Sequence, residues 1–164
     1  MTIKDFYIIT EYLNEIIKNT KFYEHVYCVG GAVRDLIRES EIKDIDLVLD
    51  IQNGGIELAQ WLWENDYLVH EPVIYPTYGT AAFKLQRFPN IELEAVHTRK
   101  EQYKDKNSRN PETEYGTLAD DIMRRDFTCN TLLYDISKQQ ILDLTGKGIE
   151  DIKNKIIRSP MELI

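Results

Sequence analysis

Cysteine is scarce in this 164-residue chain: only Cys28 and Cys129 are present, far apart in sequence. With no CxxC pair and no Cys/His spacing, a disulfide-stapled scaffold and a zinc ribbon or finger are excluded. Each thiol lies among apolar neighbours and is expected to be buried and free. Histidine is nearly as rare. His25, His70 and His97 are expected to be structural. Basic residues are outnumbered, with 20 Lys+Arg against 28 Asp+Glu and a net charge of -8. That balance disfavours a broad basic face for nucleic acid. It leaves room for local anion binding through metal ions.

Long apolar runs are also missing. Asp5, Glu11 and Glu15 interrupt the first segment, which excludes a signal peptide there. No run approaches the length of a membrane span. Together with the free thiols, this points to a cytoplasmic protein with no membrane partner. No GxxxxGK[ST] motif occurs, so a P-loop NTPase is excluded. Gly146-Lys147-Gly148 reads as a turn.

A 43% hydrophobic and 29% charged composition suits one folded domain that needs no covalent staple. Phe6, Ile9, Leu13, Ile16 and Ile17 recur at helical spacing, predicting an amphipathic first helix. Strands are predicted at 25–29, 44–50, 67–70, 80–86 and 91–97, with a hairpin at 132–136 and 139–144. Helices are predicted at 32–40, 56–66 and 117–126, the last with Thr117 as N-cap, and at 148–155. Residues 98–117 are polar and read as a long loop. Mixed strands and helices give an α/β or α+β fold.

The densest chemistry lies in residues 26–50. A strand runs into Gly30-Gly31 and then a helix. Glycines let backbone N–H groups approach a ligand, and the helix start favours phosphate. Arg34 adds a forked donor. A solvated strand–turn–helix has the same pattern, but Asp44 and Asp46 follow shortly after. Positions two apart on a strand share a face, so these carboxylates repel unless a cation lies between them. Oxygen-only ligands suit Mg²⁺, with substrate phosphates completing the shell. Ile45, Leu47 and Leu49 take the core face. A third carboxylate, common in two-metal sites, is available from Glu92 or Glu94; spacing does not choose between them. A second dense stretch holds Arg124, Arg125, Asp126, Phe127 and Asn130. It reads either as cations at a helix end or as guanidinium groups facing a triphosphate or ribose.

GGAVRD at 30–35, DID at 44–46, RRDFTCN at 124–130 and ILDLTGKGIEDIKNKIIR at 141–158 together resemble the catalytic head of class II tRNA nucleotidyltransferases. That family includes CCA-adding enzymes, their CC- and A-adding relatives, and bacterial poly(A) polymerases. The resemblance runs from about residue 24 to residue 160. It implies an α+β (mixed α/β) fold of the DNA polymerase β-like palm type, with a mixed sheet of about five strands and flanking helices. It implies that Asp44 and Asp46 hold two Mg²⁺ ions and that Glu94 is the third acidic position. It implies that Gly30, Gly31, Arg34, Arg124, Arg125, Asp126 and Asn130 contact the nucleotide. The implied reaction moves a nucleotide from ATP or CTP to the 3′-hydroxyl of tRNA or another RNA, releasing pyrophosphate. Residues 1–160 form the implied head domain, and 161–164 start a neck helix whose base-reading EDxxR motif would follow. Residues 99–117 match a flexible segment near the active site. A nucleotide-binding regulatory module, or a transferase with another acceptor, is the alternative reading.

Overall fold

A computed structural model describes residues 1–100 and 114–163. Its first helix, α1 (Ile3–Ile16), starts with a capping box: Thr2 accepts from the Asp5 amide and Asp5 reaches back to the Thr2 amide. The chain continues through β1 (Val26–Val29), α2 (Gly31–Ile37), β2 (Ile45–Leu49), α3 (Gly54–Glu64), β3 (Val73–Tyr75), β4 (Thr80–Phe83) and β5 (Leu93–His97). Then come the short pair β6 (Arg99–Lys100) and β7 (Glu114–Tyr115), α4 (Leu118–Met123), β8 (Leu133–Asp135), β9 (Gln140–Leu142) and α5 (Gly148–Asn154). Thr117 caps α4 through a second capping box with Asp120, as expected.

Seven strands form the main sheet, in the order β3-β4-β5-β2-β1-β8-β9. β2 and β5 run parallel; the other neighbours are antiparallel. The sheet is wider than the expected five strands because the β8–β9 hairpin extends one edge and β3 the other. The predicted strand at 67–70 is a single bridge, Leu68 to Leu85. The missed β3 lies between Pro72 and Pro76, residues that confine a strand to an edge. The predicted loop at 98–117 carries β6 and β7 at its ends, which pair with each other. Its residues 101–113 lie outside the described residues, as does Ile164. Residues Pro160–Leu163 form a short 3-10 helix.

Period-two alternation divides the sheet into two faces. Val26, Cys28, Ile45, Leu47, Leu49, Leu93 and Ala95 join Phe6, Ile9, Leu13, Val33, Leu58 and Leu62 in the main core. Tyr27, Val29, Val48 and Leu133 form a smaller cluster with Ile122 of α4. Asp46 shares the parity of Val48, so the second face carries the carboxylates. Both cysteines are free and buried.

Candidate active site

β2 and β5 lie side by side in a register that sets Asp46 directly opposite Glu94. Neighbouring strands are about 4.8 Å apart, so the two carboxylates face the same space. Asp44, Asp46, Glu92 and Glu94 line a cavity of about 300 Å³. Burial pushes the Asp46 carboxyl above its ordinary value, and Glu94 and then Asp44 push it further; Arg125 opposes them. Repulsion of this kind is what a bound cation relieves. The register also separates the two candidates for the third carboxylate: Glu94 pairs with Asp46, whereas Glu92 precedes β5 and lines the cavity only. Among the described residues, no three His, Cys, Asp or Glu side chains are gathered to hold a metal alone. The donor set still fits Mg²⁺, which commonly takes one or two carboxylates and fills its octahedron with water and phosphate oxygens.

Asp46 and Glu94 also line a second cavity of about 190 Å³, with Thr80, Arg99, Arg124 and Arg125. One wall is shared, with acid on one side and guanidinium groups on the other. The organiser of this second cavity is Asp121, a residue of α4 that is only 1% exposed. Its Oδ1 accepts from Arg125 Nε (3.1 Å) and Nη2 (2.9 Å), and its Oδ2 from Arg124 Nη2 (3.3 Å) and the Arg99 amide (2.8 Å).

The glycine motif sits beside this wall. Val29 of β1 pairs with Asp46. Gly30 follows at φ +76, a conformation that disfavours a side chain, and a Cβ there would lie 3.8 Å from Asp46 Oδ2. α2 spans only seven residues, too short for a strong helix dipole, so side chains are left to meet an anion. Arg34 Nη1 donates to Asn130 Oδ1 (3.2 Å), and Asn130 Nδ2 donates to Asp126 Oδ1 (3.2 Å). The Asn130 bond, helped by the Phe127 amide, holds the Asp126 carboxyl below its ordinary range. Asn130 thus bridges two motifs 96 residues apart. Gly31, Arg34, Asp126 and Asn130 therefore form one group, and Arg124 and Arg125 join the carboxylates in another; Gly30 lies between them.

Sequence reasoning missed Asp121, Arg99 and Thr80. Asp121 stands three and four residues before Arg124 and Arg125, the spacing of helical ion pairs; that was the available signal. Arg99 fell in the segment read as loop. Of the histidines, His25 Nδ1 lies 2.8 Å from Asp50 Oδ1. His97 is buried with no hydrogen-bond partner among the described residues on either ring nitrogen, and burial lowers its pKa. Neither histidine lines the two cavities. A larger hollow of about 710 Å³ lies between α1 and Phe88, lined by Ile8, Tyr12, Ile16 and Tyr67 among others. Its walls are largely apolar, and the chemistry is concentrated in the smaller pair.

The poly A polymerase head domain family matches residues 26–158. The chain belongs to this family. A tRNA nucleotidyltransferase of Schizosaccharomyces pombe is 34% identical over 146 residues, covering 80% of this chain and 28% of that protein. The solved apo structure of a CCA-adding enzyme superposes with a TM-score of 0.77 at 26% identity, covering 95% of this chain and 35% of the other. A tRNA nucleotidyltransferase solved with a primer tRNA and an incoming ATP analogue gives a TM-score of 0.69 at 29% identity, covering 90% and 38%. The poly A polymerase head in this chain therefore spans about a third of the length of these relatives. No helix among the described residues is long and apolar enough to cross a membrane.

Proposed function

We propose that this head domain transfers a nucleotide from a nucleoside triphosphate, ATP or CTP, to the 3′-hydroxyl of an RNA, with tRNA as the acceptor class. One observation carries the reading: Asp46 and Glu94 line both an acidic cavity and an arginine-lined one. A metal and a triphosphate can then meet across a single wall. The solved relative that held a primer tRNA and an ATP analogue supports both substrate classes.

In the step itself, the acceptor O3′ bonds to the α-phosphorus while the bond from that phosphorus to the α–β bridging oxygen breaks. Pyrophosphate leaves with the bonding pair, and the hydroxyl proton passes to solvent. Asp44 and Asp46, with Glu94 beside them, would hold Mg²⁺. Once bound there, Mg²⁺ would lower the acceptor hydroxyl's pKa and steady charge on the leaving oxygens. Arg124 and Arg125 place positive charge against the phosphates, their positions fixed by Asp121. Arg34, beside the glycine turn, is a forked donor for phosphate oxygens; Asn130 ties it to Asp126, which offers an acceptor to a ribose hydroxyl. Positioning and charge neutralisation supply most of the rate in such reactions.

The test uses labelled ATP or CTP, Mg²⁺ and a tRNA lacking its 3′ end, with the wild type, Asp44→Ala and Asp46→Ala. Metal-dependent nucleotide binding by the wild type is expected, and both substitutions abolish it. Binding that is indifferent to Mg²⁺ and to both changes would refute the assignment. Nucleotide binding without transfer to any RNA would favour a regulatory module.

A further inference from the structure

Asp46 and Glu94 belong to a row of side chains that crosses the sheet. Val29, Asp46, Glu94, Ala82 and Val73 stand opposite one another from β1 to β3, and the next row is Tyr27, Val48, Val96, Thr80 and Tyr75. Residues paired in this way share a face. Val73 and Tyr75 therefore lie on the carboxylate side, while Ile74 between them packs against the main core. At the β1 end, Ile122 of α4 covers Tyr27, Val29 and Val48. At the β3 end the rows lie open: Val73 is 47% exposed and Tyr75 48%. Only the methyl group of Ala82 stands between Glu94 and Val73, two strand spacings or about 10 Å apart. A low floor thus runs from the carboxylates to an exposed aromatic ring at the sheet edge.

The direction of the reaction assigns an occupant to that floor. Donors for phosphate oxygens sit at the β1 end, where the Gly30-Gly31 turn and Arg34 follow the strand. In phosphoryl transfer the attacking and leaving oxygens lie roughly in line through the phosphorus. With the α-phosphorus at the carboxylates and pyrophosphate leaving toward the glycine turn, the acceptor O3′ arrives over β5, β4 and β3. A single-stranded nucleic-acid end is gripped by cations along its backbone and aromatic faces under its bases. Both are present there. Arg99 donates through Nη2 to the Tyr78 carbonyl (2.8 Å) and Thr80 Oγ1 (3.0 Å), and its buried Nε has no hydrogen-bond partner among the described residues. Tyr75 stands beside Thr80 in the same row. An exposed apolar edge strand is a liability unless something covers it. Pro72 and Pro76 beside β3 discourage another strand from doing so.

We propose that this strip receives the 3′-terminal nucleotide of the acceptor RNA, with its base stacked on the Tyr75 ring and its O3′ at the carboxylates. The inference rests on the nucleotidyltransferase reading above. Tyr75 is then a positioning residue for the acceptor and has no part in holding the incoming nucleotide. Stacking is tolerant of base identity because every base has a π-face, so the strip accepts an RNA end without selecting its last letter.

The test is equilibrium binding, by fluorescence anisotropy, of a single-stranded RNA hexamer and of the same hexamer with an abasic 3′-terminal ribose. Mg²⁺ and α,β-methylene ATP are present, and the proteins are the wild type, Tyr75→Phe and Tyr75→Ala. The wild type is expected to bind the intact RNA at least about fivefold more tightly than the abasic one. Tyr75→Ala loses that preference by weakening the intact RNA alone, and Tyr75→Phe, which keeps the ring, retains it. Binding of the ATP analogue is unchanged in both variants, which also shows that they are folded. Equal affinity of the wild type for the two RNAs, or no binding of either while the ATP analogue binds, would overturn the proposal. So would a preference that survives in Tyr75→Ala, or equal losses for both RNAs. A wild type that binds no ATP analogue would instead overturn the nucleotidyltransferase reading itself.

Discussion

Gly55 is where α3 meets the catalytic sheet most closely. A Cβ built on it would lie 2.4 Å from the Ala95 carbonyl oxygen and 2.6 Å from the Val96 amide nitrogen. Both neighbours are backbone of β5, the strand that carries Glu94, and cannot swing away. To reach even a tight 3.0 Å contact, α3 must retreat by about 0.6 Å. A gap of that size forfeits about a quarter of the dispersion well for each atom pair across the seam. Leu58, Ala59 and Leu62 of α3 are completely buried, and a buried leucine makes roughly 40–60 contacts of about 0.1–0.2 kcal/mol each. If about a third of these cross the seam, the loss is about 1–2 kcal/mol, at the low end of the usual range for overpacking. Alanine's better helix propensity returns at most about 1 kcal/mol. Gly55→Ala is therefore expected to lower the melting temperature by roughly 2–4 °C, read by circular dichroism. It should also weaken nucleotide binding, because Ala95 and Val96 line the arginine-walled cavity. Gly146→Ala is the control. Its φ of +74 carries a backbone cost of about 1 kcal/mol, but no atom lies within 4 Å of the new Cβ, so nucleotide binding should not change. A Gly55→Ala protein as stable as the wild type would refute the packing argument.

Asp121→Ala removes the carboxylate shared by Arg124, Arg125 and the Arg99 amide. It should cost about 3 kcal/mol or more in urea unfolding, since the guanidinium groups lose a buried partner; a loss under about 1 kcal/mol would contradict that role. Asn130→Ala should weaken nucleotide binding by breaking the link from Arg34 to Asp126, and stability at pH 7 should fall only slightly, because Asp126 is exposed and solvent screens its contribution. It should also remove a pH dependence. Asp126 has a lowered pKa in the folded state, so its contribution is present above the unfolded carboxylate value and is lost as pH falls through the lower folded one. In the alanine variant, NMR titration should find the Asp126 carboxyl taking up its proton at higher pH than in the wild type. Mg²⁺ should raise the melting temperature of the wild type by mass action and leave Asp46→Asn unmoved. In EDTA the asparagine variant should be the more stable, because the charge that burial and Glu94 disfavour is gone.

The parts of this site that were legible in the sequence are those written as local pattern. The alternation Ile45-Asp46-Leu47 placed the carboxylate on the face opposite the core before any neighbour was known. Gly30-Gly31 announced a turn because glycine alone takes φ +76 without cost. What local pattern could not show was register. Glu92 and Glu94 are equivalent along their own segment, and only the pairing of β2 with β5 sets Glu94 against Asp46. Asp121 looked like any acidic residue of a helix's first turn; its burial follows from α4 lying over the second face of the sheet. The 67–70 strand failed for a related reason. Its alternation is that of a strand, but its backbone finds a partner only at Leu85.

A net charge of -8 first weighed against a broad basic face for nucleic acid. The site shows why the total is the wrong quantity. Fields at a few ångströms depend on which charges share a wall, and salt screens the rest within about 8–10 Å. Here Asp46 and Glu94 oppose Arg99, Arg124 and Arg125 across about 190 Å³, with Asp121 neutralising part of the arginine side. A divalent cation held by the carboxylates would make the lining more positive, and a triphosphate would bring it back toward neutrality. Neither ligand is well matched to the cavity alone. Under the proposed function, a metal on the carboxylates would add positive charge to the lining that a triphosphate meets, so metal and nucleotide would each raise the other's affinity by the same factor. The acidic surplus on the rest of the surface has no part in that balance.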